Sequence, residues 1–158
     1  MRFKRLAVTV LAMAMLVSAM AIPASASTGD SNYSIGISST SGVYANSITV
    51  RKKDDTTSAY VNYNLGGPYK FVALFYGASS SDGFYTDCTT YIYGTNIMRR
   101  QAIVTSGTKG FVHQDVREKY GQYAWASIRG KYNSGLGTAS GKWSPDSMDE
   151  YGCVDYNG

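Results

Sequence analysis

"YAWASIRGKYNSGLGTASGKWSPDS", residues 123–147, is the stretch whose reading decides the fold. Ala124, Ala126 and Ile128 take one side, and Tyr123, Trp125 and Arg129 the other, the two-residue period of a half-buried strand. "NSGLG" reads as a hairpin loop and "TASGKW" as the last strand. The ending reads as helical. Ser144 is a good N-cap, Pro145 fits the first helical position, Asp146 adds an acid to the first turn and Gly152 supplies a stop. "SPDSMDEYG" therefore predicts one or two turns of helix leaving the sheet.

The rest of the chain repeats the strand pattern. "YSIGIS" alternates Tyr33, Ile35 and Ile37, and "VYANSITVRK" follows a Ser/Thr/Gly turn as a second strand. "AYVNYNL" sets Ala59, Val61, Tyr63 and Leu65 against Tyr60, Asn62 and Asn64. In "YKFVALFYG" both faces are apolar, Phe71, Ala73 and Phe75 against Val72 and Leu74, as a central strand requires. "FYTDCTTYIYG" and "NIMRRQAIVTS" read as paired strands meeting near Gly94–Asn96, "FVHQDV" as a further strand, and "REKYGQ" as a connector. Fourteen tyrosines join many Val, Ile and Thr, residues that suit a pleated surface. The expected fold is all-β: an antiparallel β-sandwich or barrel of about eight short strands with a short C-terminal helix.

Before these strands, Arg2, Lys4 and Arg5 precede an uncharged run, Leu6 to Ala21, and an Ala24-Ser25-Ala26 cleavage site. This is the plan of a signal peptide over residues 1–26, which leaves residues 27–158 as a single exported bacterial domain with no integral membrane anchor. The chain holds 15 Lys+Arg and 11 Asp+Glu, so losing the three leader bases leaves 12 against 11. The basic character thus belongs largely to the leader. What remains is polar along the chain. Arg99, Arg100, Lys109, Arg117, Lys119, Arg129, Lys131 and Lys142 outnumber Asp115 and Glu118, whereas Asp146, Asp149, Glu150 and Asp155 close an acidic tail. Solvated strand ends account for many of these bases; a basic face would attract anionic wall polymers or lipid head groups.

Cys88 and Cys153 in an exported chain predict a disulfide, worth roughly 4 kcal/mol over so long a loop. Two distant cysteines and one histidine match no zinc spacing, and "DSMDE" does not match an EF-hand loop, so no metal and no cofactor is expected. His113 and Asp115 would share a strand face and could serve Ser127 or Ser140. Neither serine has the glycines of a nucleophile elbow, and a hydrogen-bonded structural histidine is the expectation.

Gly141, Trp143, Ser144, Pro145 and Asp146, in the G-x-W-S-P-D ending, carry a resemblance to a family of small secreted Gram-positive proteins labelled as a domain of unknown function. That resemblance implies an extracellular location and brings no catalytic residues. A fainter likeness is to lactococcin-type bacteriocins, also exported, glycine-rich and β-structured, although this chain is longer and has a cysteine pair and an acidic tail.

The expected function is non-enzymatic binding of a cell-envelope component, a wall polymer or a membrane surface. Exposed aromatics and bases would carry it: Tyr123, Trp125, Trp143, Arg99, Arg129 and Lys131. A bacteriocin-like effector is the alternative and a secreted hydrolase the third reading. No RNA-binding signature or recognition helix is present, and export argues against a nucleic-acid partner.

Overall fold

The computed structural model describes residues 29–40, 45–93, 96–99, 101–147 and 152–157, with side chains except at 46–48 and 91–99. Residues 1–28, which include the expected signal peptide and cleavage site, Arg100 and residues 148–151 lie outside the described residues.

Two sheets face each other across one core. Their strands are β1 (Ser31–Ile37), β2 (Ala45–Lys52), β3 (Ala59–Tyr63), β4 (Lys70–Ala78), β5 (Thr86–Asp87), β6 (Thr90–Tyr93), β7 (Asn96–Arg99), β8 (Ala102–Thr105), β9 (Lys109–Val112), β10 (Trp125–Ser134), β11 (Gly137–Ser144) and β12 (Val154–Asp155). The first sheet runs β1-β11-β3-β9-β12, the second β2-β10-β4, with β5 and β8 sharing the far side of β4. The pairings are antiparallel except for β12, which lies parallel to β9. The expected sandwich is present, without a closed barrel.

Two-residue alternation places the core. Tyr33, Ile35 and Ile37 from β1, Ala59, Val61 and Tyr63 from β3, and Phe71, Ala73 and Phe75 from β4 point inward. Ala126 and Ile128 of β10 meet them, and Trp143 of β11 lies fully buried with its ring 5.8 Å from that of Phe75. As its doubly apolar sequence requires, β4 is central, held by β10 on one side and by β5 and β8 on the other. At Gly141 of β11 a Cβ would overlap the Asn62 carbonyl oxygen, so only glycine lets β3 and β11 approach as they do.

Two expectations change. "NSGLG" is not a hairpin loop. β10 is filled on both edges by β2 and β4, and β11 by β1 and β3, so the loop carries the chain from one sheet to the other. Gly135 and Gly137, at φ 91° and 133°, give it the backbone that this crossing needs. A helix also forms where none was expected. "VREKY" forms α1 (Val116–Tyr120), continued by a 3-10 turn (Gly121–Tyr123), in the stretch that reads as a connector. Val116 and Tyr120 pack against Gly77 of β4, so tertiary packing outweighs the weak local signal. Ser144 ends β11 as a strand residue and Pro145 and Asp146 bend away from it, while residues 148–151 of the expected C-terminal helix lie outside the described residues.

No disulfide joins Cys88 and Cys153. The Cys88 carbonyl accepts from the Asp115 N–H, 3.0 Å away, whereas Val154, next to Cys153, is registered on Gly110. Five residues of extended chain separate those levels, on the order of 15 Å. A disulfide tolerates about 7 Å between Cα atoms.

Candidate functional site

The acidic tail turns back onto the sheet, and that return builds the main polar site. β12 lies beside β9 and brings Asp155 to His113, whose Nε2 is 3.0 Å from Asp155 Oδ2. On the other side of the ring, Nδ1 is 2.9 Å from Ser58 Oγ, just ahead of β3. With Asp155 accepting Nε2–H, Nδ1 keeps a lone pair for the Ser58 hydroxyl proton. Asn157 fixes the strand that carries the histidine: its Oδ1 accepts the His113 N–H at 2.9 Å, and its amide group donates to the Thr90 carbonyl.

Ser58, His113 and Asp155 line a cavity of about 560 Å³. Thr56, Thr57, Thr90 and Ser147 add hydroxyls, Asp115 and Glu118 add carboxylates, and Phe111 adds an aromatic wall. Gln114 braces it, donating from Nε2 to the Thr57 carbonyl at 2.8 Å and accepting the Val116 N–H, which starts α1.

Behind the Thr57 wall lies an ion pair. Lys53 follows β2 and is fully buried, with Nζ 2.9 Å from Asp146 Oδ1 and 3.1 Å from Asp55 Oδ1, and it donates to the Thr57 carbonyl at 2.6 Å. The Asp146 carboxylate also accepts the N–H groups of Asp54 and Asp55, each at 3.2 Å. Burial pushes the Asp146 carboxyl up, and the Lys53 ammonium and the Asp55 N–H pull it back only in part. Burial also pushes Asp55 up, but the Thr57 hydroxyl and N–H, with Lys53, outweigh it and hold Asp55 below the usual carboxylate range.

A second surface lies on the outer face of β10, where Trp125, Ser127, Arg129 and Lys131 alternate with the inward Ala126, Ile128 and Gly130. The Arg129 guanidinium stacks 3.9 Å over the ring of Tyr76, on the neighbouring β4. Its Nε is buried without a hydrogen-bond acceptor. Tyr123, two residues before Trp125, is 66% exposed.

The structure therefore gathers Tyr123, Trp125, Arg129 and Lys131, and separates the other two candidates. Trp143 is wholly in the core and meets no ligand. Arg99 ends β7 in the separate β6–β7 ribbon, and its side chain lies outside the described residues. The partner of His113 is Asp155, forty-two positions away, instead of Asp115, whose N–H holds the Cys88 carbonyl. Ser58, and neither Ser127 nor Ser140, reaches the ring. No local motif announces Ser58 or Asp155; only the parallel return of β12 joins them.

Among the described residues, no helix is long and apolar enough to cross a membrane. The family model described as "Protein of unknown function (DUF2712)" matches residues 17–147. No curated protein and no solved structure matches the chain.

Proposed function

For a chain that belongs to the DUF2712 family, we propose an exported protein that binds an anionic polymer of the cell envelope through the outer face of β10. One observation carries the reading: Trp125, Arg129 and Lys131 share that face, and Arg129 is stacked on Tyr76. A phosphate or carboxylate of the polymer pairs with the Arg129 guanidinium and the Lys131 ammonium in charge-assisted hydrogen bonds, and the stacked Tyr76 ring holds the guanidinium in place. Trp125 adds a flat apolar surface for the repeating unit beside the charge.

Sedimentation with isolated cell wall over a salt series tests the proposal. Binding should weaken as salt rises, and the Arg129→Ala/Lys131→Ala double variant should lose about tenfold or more in affinity. Binding untouched by both salt and the double variant would overturn the charged-face reading.

A second reading, acyl hydrolysis in the cavity, is favoured by the Ser58–His113–Asp155 hydrogen-bonded series. In it Ser58 is the nucleophile and His113 the base, oriented by Asp155. Release of nitrophenol from p-nitrophenyl acetate should then vanish in both Ser58→Ala and His113→Ala. Wild-type release no faster than in buffer removes this reading.

A further inference from the structure

We propose that Lys53 and Asp146 condense within the folded protein, forming an intramolecular isopeptide bond between Nζ and the Asp146 side-chain carbonyl with Asp55 as the proton carrier. The proposal is independent of both readings above.

Four features support it. The amine and the carboxyl are each fully buried and only 2.9 Å apart, so the reacting groups are held at attack distance without any mobile partner. Burial pushes the Asp146 carboxyl toward its neutral acid, the form that reacts. Asp55 touches the amine at 3.1 Å, where it can take a proton. The N–H groups of Asp54 and Asp55 already point at the Asp146 oxygens, where they would hold the oxyanion of a tetrahedral intermediate.

The step balances without an outside reagent. Asp55 relays one Lys53 ammonium proton to the Asp146 carboxylate, leaving a neutral amine beside a carboxylic acid. The free electron pair on Nζ attacks Cγ of Asp146, forming the C–N bond. Asp55 then takes a second proton from the attacking nitrogen and hands it to the hydroxyl, which leaves as water when the carbon–hydroxyl bond breaks. Ammonium plus carboxylate become amide plus water. Nothing is oxidised or reduced, and one positive and one negative charge disappear together. The second partner of Lys53, the Thr57 carbonyl, keeps the remaining N–H paired after the bond forms.

The bond would join the residue just after β2, in one sheet, to Asp146, two residues past the end of β11 in the other. It would close the sandwich with a covalent strap, as the expected disulfide would have done.

Mass spectrometry of the full-length chain as purified, denatured and then digested, tests this directly. The intact mass should lie about 18 Da, one water, below the value for its observed N-terminus, and the digest should contain a branched peptide joining Lys53 to Asp146. Asp55→Asn, which keeps the side-chain shape, should recover the uncondensed mass, and Lys53→Arg should do the same. A wild-type chain at the uncondensed mass, with Lys53 and Asp146 in separate peptides, overturns the proposal. So does a loss of water without the branched peptide, which marks a succinimide instead.

Discussion

Single residues show where local reading and tertiary structure part. Tyr33 lies on the core face of β1 as its alternation foretells, but its hydroxyl is buried with no hydrogen-bond partner. Tyr33→Phe should therefore raise stability by about 1 kcal/mol, read from urea unfolding, because an unpaired buried hydroxyl is removed while the ring remains. The same burial pushes the Tyr33 phenol well above its ordinary range, and burial pushes Tyr156 up to about 12. The unfolded chain ionises both tyrosines near pH 10 while the folded chain keeps them neutral. The stability they contribute is thus intact below pH 10 and lost as pH climbs through the folded values. Unfolding followed from pH 9 to 12 should show that decline, and Tyr33→Phe should make it shallower. Asp146 illustrates the opposite limit of legibility. Its sequence position suits a helix start, yet it receives Lys53 and two N–H groups from more than ninety residues away. Nothing within its own neighbourhood encodes that.

At the scale of elements, alternation located the strands well and their partners poorly. The inward set of β10 and the central place of β4 follow from the pattern of side chains alone, since burial on a pleated surface has a local period. Pairing has none. The crossing at "NSGLG" and the parallel return of β12 depend on which edges remain open, and short sequence offers no measure of that. The position of β12 is set by Gly110, where a Cβ would overlap the Val154 carbonyl oxygen. Gly110→Ala should push β12 off β9 and separate Asp155 from His113. Hydrogen exchange should then lose the protection of the Tyr156 N–H, which is bonded 3.0 Å from the Phe111 carbonyl, while the β10–β4 amides stay protected. Unchanged protection at Tyr156 would contradict the steric argument.

For the whole molecule, the two tryptophans report on opposite regions. Trp143 sits in the core with no exposure, and Trp125 on the outer face is partly open. A Trp125→Phe variant should emit at shorter wavelength than wild type and resist acrylamide quenching until the protein unfolds. Trp143→Ala should cost about 3–5 kcal/mol, the range for emptying a large aromatic site, measured as a lowered urea midpoint. The fold class could be read from composition and period because both follow from burying one face of every strand. The cavity could not, because Ser58, His113 and Asp155 come from three separate strand ends and carry no shared spacing.

The repeated change of layer from strand to strand has a consequence in time. β1 leads into β2 of the opposite sheet and finds its own neighbour only at β11, where Ser31 meets Trp143. The first strand therefore waits for nearly the last, and little of either sheet can close on locally made chain. Such non-local pairing slows folding into the millisecond-to-second range typical of sandwiches. A chain delivered from its N-terminus would stay extended along most of its length until the segment around Trp143 arrived, so the order of emergence, and not the strength of any one contact, would govern when the core first forms.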